Sequence, residues 1–229
     1  MNASERLRHA KALALDGHFA ESLAEHEWFH HNALAEEPAL RGVRRSFALA
    51  YWAELGQIYA PALQALTDLR NRNEAALRNG TDDSGLFADV AAINHYLQDE
   101  ASTYRLFVAL DERNPEFAIN CFGRAVGAIV RAQDFQLARK YIPNPDAALA
   151  ALMCDFNQSV AHAFQLTDKR HRALRLQAET GNFSDDVILL LSITRNTDGA
   201  ATAERLIRAA ISGVSSESIR RRVARKLCA

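Results

Sequence analysis

The stretch DGHFAESLAEHEWFH, Asp16 to His30, decides how this chain is read. It opens with a corner, Gly17-His18-Phe19, where glycine admits a backbone conformation that other residues resist and an aromatic follows to fill the bend. Beyond the corner the apolar positions do not alternate. Phe19, Leu23, His26, His30 and Leu34 share one face of a 3.6-residue helix, with Ala33 beside them. A half-buried strand would need period two. The segment is a helix entered through a tight turn.

The same grammar extends in both directions. Breakers at Gly17, Pro38, Gly56 with Pro61, Asn79 to Gly85, Asn114-Pro115, Pro143 to Pro145, Gly181, Asp198-Gly199 and Gly213 cut the chain into pieces of helical length. Roughly ten or eleven helices joined by short connections follow, the pattern of antiparallel helical hairpins. The nearest approach to a strand is VILLLSI from Val187, and its flanks are helical. The expected class is therefore all-α. With 229 residues and 48 % hydrophobic content the chain can bury a real core. Residues 1–229 are read as a single domain, because helices either side of any loop would leave apolar faces uncovered. The polar loop GTDDSG at residues 80–85 is the best internal boundary.

Three corners look alike: Gly17-His18-Phe19 into AESLAEH, Gln133-Asp134-Phe135 into QLARKYI, and Gly181-Asn182-Phe183 into SDDVILL. Trp52, Leu55, Gly56 and Tyr59 add a fourth signal. Together these resemble the tetratricopeptide repeat, in its helix-A spacing and in the corner where an aromatic plugs the gap between paired helices. Ala138 fits the small position after the corner, whereas Ser22 and Asp186 depart from it, and Pro61 follows Tyr59 too soon for a regular repeat. The corners are also spaced unevenly and wider than the 34 residues of that repeat. The resemblance implies hairpins stacked as a short right-handed solenoid whose concave face holds a partner protein or peptide. The chain as a whole resembles bacterial proteins of this helical type, a likeness that carries no function with it.

HEWFH, His26 to His30, spells H-E-x-x-H. Two histidines one helical turn apart can share a zinc ion while the intervening Glu27 activates its water. That alternative, a zinc-dependent hydrolase with His26 and His30 as metal ligands, needs a third ligand. Position 36 is Glu36 and position 33 is Ala33, so the metzincin continuation is missing, and Glu54 or Glu74 would have to serve from outside a motif. The simpler reading places both histidines on the packed face, flanked by Trp28 and Phe29.

Other residues offer contacts to a partner. Arg41, Arg44 and Arg45, in RGVRRSFALAYWAELG read as one helix, either clasp an acidic partner segment or form a solvated face paired with Glu36 or Glu37. Trp28 and Tyr51 are aromatic candidates. Asn94 and His95 sit in AINHYLQDE, read as one helix in which His95 and Asp99 form an i,i+4 pair. Asn94, Asn120 and Asn157 in mid-helix either line a groove or bond neighbouring helices. The C-terminal SSESIRRRVARKLCA is an amphipathic helix whose cluster Arg220 to Lys226 either caps the array or touches a polyanion.

Net charge is -1, so no whole-chain field favours nucleic acid or membrane. Three scattered cysteines are expected to be reduced thiols packed as small apolar residues, and the N-terminus lacks the apolar run of a signal peptide. The expectation is a cytoplasmic, non-enzymatic scaffold without a cofactor. It would bind another protein or peptide in a helical groove, as a bacterial regulator or toxin-neutralising partner would.

Overall fold

The computed structural model describes residues 1–228. Among them are thirteen α-helices, one short 3-10 turn and no strand, so the fold is all-α. The chain divides into two compact units, Met1–Ala128 and Ile129–Ala229, and residues 80–85 lie inside the first. No helix of the described residues is long and apolar enough to cross a membrane.

In the first unit, α1 (Ala3–Leu15) starts from Asn2, which shares a capping box with Glu5. Gly17 turns the corner at φ +83, a left-handed conformation, and α2 (Phe19–Glu36) returns along α1. Ser22 is buried between the two helices. Its small side chain fits, and its buried hydroxyl donates to the Ala10 carbonyl at 2.8 Å. A 3-10 turn (Pro38–Leu40) leads into α3 (Arg41–Arg45), α4 (Phe47–Ile58) and α5 (Ala60–Arg78). The pair α4 and α5 encloses a core of Leu49, Trp52, Leu55, Leu66 and Leu69. Trp52 donates its indole N–H to the Ala62 carbonyl at 3.0 Å. Then follow α6 (Ser84–Tyr96), capped by Asp83, α7 (Glu100–Arg113), capped by Asp99, and α8 (Pro115–Arg131).

The second unit contains α9 (Phe135–Tyr141), α10 (Pro145–Gln165), α11 (Lys169–Thr197), α12 (Ala200–Ser212) and α13 (Glu217–Leu227). Every other helix of this unit packs on α11. Its core joins Leu149, Phe156 and Val160 of α10 to Phe183, Val187 and Leu190 of α11, with Leu206 and Val223 closing it from α12 and α13.

Several expected breaks move. The corner at Gly181-Asn182-Phe183 does not exist, because α11 runs through it for 29 residues. Leu176, Phe183, Val187 and Leu190 lie on one continuous stripe across the glycine, and Phe183 stacks on Phe156 with centroids 4.2 Å apart. A mid-helix glycine costs about 1 kcal/mol. Burying a phenylalanine against a ring returns more than that. Gly56 likewise lies within α4 and marks a close approach: a Cβ there would meet the Leu63 backbone at 3.2 Å. Conversely, the expected single helices RGVRRSFALAYWAELG and AINHYLQDE are each broken. Ser46 (φ -125, ψ -96) separates α3 from α4, and Gln98 at φ 57 separates α6 from α7. Of the cysteines, Cys121 is buried, while Cys154 and Cys228 are exposed, contrary to the expectation that all three are packed.

The two glycines give opposite expectations. Gly56→Ala drives a methyl into α5 and lowers stability by about 1–2 kcal/mol despite better helix propensity. Gly181→Ala, with only the Lys226 ammonium nearby at 3.9 Å, raises stability by about 0.5–1 kcal/mol. Urea unfolding of both variants, read at unchanged m-value, checks the signs.

Candidate functional site

The histidines of HEWFH point inward. His26 and His30 are buried on α2, whereas Glu27, the would-be base, is exposed. The His26 ring lies over Trp52, centroids 6.1 Å apart and 19° from parallel, and neither of its nitrogens has a hydrogen-bond partner. Burial holds its pKa down at about 4. His30 accepts from Arg44 Nη2 at 2.9 Å through Nε2. A guanidinium has no lone pair to offer, so Nε2 is the acceptor and the ring proton resides on Nδ1. Burial first, and then the positive charge of Arg44, press this pKa down to about 3. Among the described residues no three His, Cys, Asp or Glu side chains are grouped to hold a metal ion. The Arg44 cation also occupies the direction from which a metal would approach His30 Nε2. Among the described residues the zinc alternative built on His26 and His30 therefore finds no third ligand.

Arg44 and Arg45 are neither solvated nor paired with Glu36 or Glu37, as the sequence suggested. Both turn onto Asp89 of α6. Arg44 forms a bidentate fork, Nη1 to Oδ1 at 2.7 Å and Nη2 to Oδ2 at 2.9 Å, while its Nε donates to the His30 carbonyl at 2.7 Å. Arg45 adds Nε to Asp89 Oδ1 at 2.7 Å and Nη2 to the Gly85 carbonyl at 2.9 Å. Side-chain exposures of 11 %, 19 % and 8 % for Arg44, Arg45 and Asp89 make this a buried cluster. Desolvation pushes Asp89 up, but the hydrogen bonds and charges of the two arginines outweigh it and leave its pKa below the ordinary value. Neither arginine is free to clasp a partner.

The remaining partner-binding candidates scatter. Arg41 is exposed. Trp28 is half-buried beneath the Arg6 guanidinium at 4.0 Å, and Tyr51 carries the Lys11 ammonium at 4.3 Å. Asn94 is buried between helices, accepting from Arg70 at 2.7 Å and donating to Thr103 at 3.0 Å. His95 lies at the end of α6 and pairs with Glu100 at 3.3 Å, not with Asp99, which caps α7 and binds Arg70. Asn157 ties α10 to the α12–α13 turn, donating to Gly213 O at 2.9 Å and accepting from Ser215 N at 3.0 Å.

What sequence reasoning missed is Asp89, whose signal was an acid inside the apolar run LFADVAAI, one turn before Ile93. It also missed an open groove of about 540 Å³ between α11 and α13. Gln177, Ala178, Thr180, Gly181 and Asn182 form one wall, and Arg222, Arg225 and Lys226 the other. In the same basic cluster, Arg220 donates to the Val214 carbonyl at 2.8 Å and Arg221 pairs with Glu217 at 3.0 Å. Arg222 and Arg225 have no hydrogen-bond or ion-pair partner among the described residues. Lys226 meets Asp185 at 3.6 Å in an exposed pair. No family model matches the chain, no curated protein matches it, and no solved structure matches it.

Removing the buried carboxylate leaves two confined cations unneutralised. Asp89→Ala is expected to cost about 3 kcal/mol in chemical denaturation, against less than half of that for Asp83→Ala at the exposed cap of α6. The histidines set a pH dependence. Both pKa values are lower in the folded chain than the unfolded value near 6.5, so the unfolded state binds more protons below that pH. Their stabilising contribution is full above pH 6.5 and declines as pH falls toward 4. A loss of about 2–4 kcal/mol between pH 7 and pH 5 is expected, and a His26→Gln/His30→Gln variant, whatever its absolute stability, has a flatter profile across that interval.

Proposed function

We propose that this chain is a non-enzymatic scaffold that holds a partner protein or peptide in a groove between helices. The observation that carries the reading is the α11–α13 groove, a concave surface that presents two unpaired guanidiniums on a well-packed helical frame. Guanidinium groups held at the lip of a groove are suited to recognition, since arginine loses little hydration and offers a planar fork. The conspicuous chemistry of the first unit supports the same reading from the other side. His30, Arg44 and Arg45 are turned inward and hold helices together.

The tetratricopeptide-like character expected from the sequence is supported locally by the Gly17 corner, by the Trp52 indole on Ala62 and by the approach of Leu63 to Gly56. A regulatory or toxin-neutralising partner is the kind of protein such a scaffold would hold. Free thiols at Cys121, Cys154 and Cys228 fit a reducing compartment such as the cytoplasm.

A photo-reactive side chain placed at Gln177, in cells that produce the chain naturally, is expected to trap one defined protein identified by mass spectrometry. The same group at Arg221, outside the groove on α13, should not trap it. Equal labelling at both positions, or no protein adduct at Gln177, overturns the reading.

A further inference from the structure

The groove between α11 and α13 is selective in its chemistry, and that selectivity names a class of occupant. On α13, Arg222 and Arg225 stand three residues apart, about 5–6 Å on a helix surface, and Lys226 is one turn beyond Arg222. All three face the groove, and neither arginine has an internal partner. Lys226 holds Asp185 only across an exposed pair at 3.6 Å, so an incoming anion can compete for it. The local charge is part of a larger asymmetry hidden by the near-neutral total: Ile129–Ala229 holds 15 Lys and Arg against 10 Asp and Glu, and the first 128 residues hold 12 against 18.

The opposite wall decides between kinds of anion. Gln177 and Asn182 present amides, each both a donor and an acceptor, and Gly181 lets a ligand backbone approach α11 without a Cβ in the way. A peptide backbone can answer both halves of an amide through its own N–H and C=O, whereas the phosphodiester backbone offers only acceptors and leaves the amide oxygens unanswered. One turn before Ala178 on the same face of α11 stands Leu174, an apolar side chain 56 % exposed.

We propose that this groove binds an acidic peptide segment of a partner protein, in which Asp or Glu carboxylates take the Arg222 and Arg225 forks and an apolar side chain rests on Leu174. The proposal rests on the scaffold reading above and gives its partner a chemistry. Carboxylate–guanidinium pairing at a partly open lip supplies orientation and a salt-sensitive association rate, and the leucine contact supplies the apolar part of the affinity.

The test uses the full chain and fluorescein-labelled 12-residue peptides, each carrying two glutamates and one leucine with the leucine-to-acid spacing stepped across the set. A glutamine-for-glutamate series and a single-stranded oligonucleotide of similar length are the comparators. Fluorescence polarisation is expected to show saturable binding of at least one acidic peptide. Binding should weaken about tenfold or more in Arg222→Gln/Arg225→Gln and stay within about twofold in Arg221→Gln, which removes the same kind of charge from the same helix outside the groove. Thermal melts confirm that the variants remain folded.

Equal loss in the Arg221 variant means general attraction to a basic unit and overturns the proposal. So does an oligonucleotide that binds as tightly through the same two arginines. If acidic and glutamine peptides bind alike, or if no peptide binds while a photo-reactive group at Gln177 still traps a protein, the acidic chemistry is wrong and the scaffold reading stands. If no peptide binds and nothing is trapped, both fail.

Discussion

The first unit is organised around a carboxylate that has left water. Asp89 sits on the buried face of α6, and a buried charge of that kind persists only when it is paired and hydrogen-bonded. Two guanidiniums follow it inward from adjacent positions on α3, and one of them continues to α2 through both the carbonyl and the ring of His30. Helix α6 is thereby fixed to α2 and α3, which lie far back in the chain, by directional bonds that apolar packing alone would not supply. The arrangement has a further consequence. Burial first, and then the excess positive charge of two cations against one anion, disfavour a protonated imidazole beside them, so His30 stays neutral, as does His26 through burial alone. The histidines of HEWFH are thus packed residues, one held by the ionic cluster and one against the Trp52 ring.

The second unit depends on a different constraint, the continuity of α11. A 29-residue helix on which four others pack can present one edge to solvent without loosening, because its opposite stripe is locked by Phe183, Val187 and Leu190. Within this helix Thr180 and Ser184 turn their hydroxyls back on the carbonyls of Leu176 and Thr180, at 2.6 and 2.7 Å, so polar residues flanking the glycine are satisfied without leaving the helix. One wall of the groove beside α13 is therefore carried on a continuous, well-packed helix.

The class of fold was visible in the sequence because helical periodicity and steric punctuation are local. Gly17, Asn114-Pro115, Pro143 to Pro145, Asp198-Gly199 and Gly213 end or open helices where the chain alone would lead one to expect. Gly181 and Gly56 read the same way locally but are governed by distant partners: Phe183 finds Phe156 on another helix, and Gly56 is small because Leu63 is near. Asp99 was read as a mid-helix acid, and it is a cap, since Gln98 takes a left-handed conformation that no residue type announces. The site was harder still. An arginine on a helix carries the same letters whether it is solvated, as Arg41 is, or folded onto an aspartate 45 residues away, as Arg44 is. Only the acid within LFADVAAI hinted that a cation must come to meet it.

That contrast separates two uses of arginine within one chain. Where a guanidinium faces a buried carboxylate, its forks are filled by the fold and its role ends with stability, as at Arg44 and Arg45. Where it faces a groove whose lining residues include no acid, the fold leaves its forks to whatever enters, as at Arg222 and Arg225. The neighbours on α13 show that the difference is one of placement and not of composition. Arg220 is drawn to a carbonyl and Arg221 to Glu217 a turn away, while the two residues that follow the groove are left without either. A helix that needed positive charge only to offset its own dipole would carry it in the last turn and in any direction around the axis. Here the unpaired cations lie on the side where α11 supplies two amides and a glycine, and that coincidence of charge, hydrogen-bonding capacity and room is what marks this face as a place for an acidic peptide.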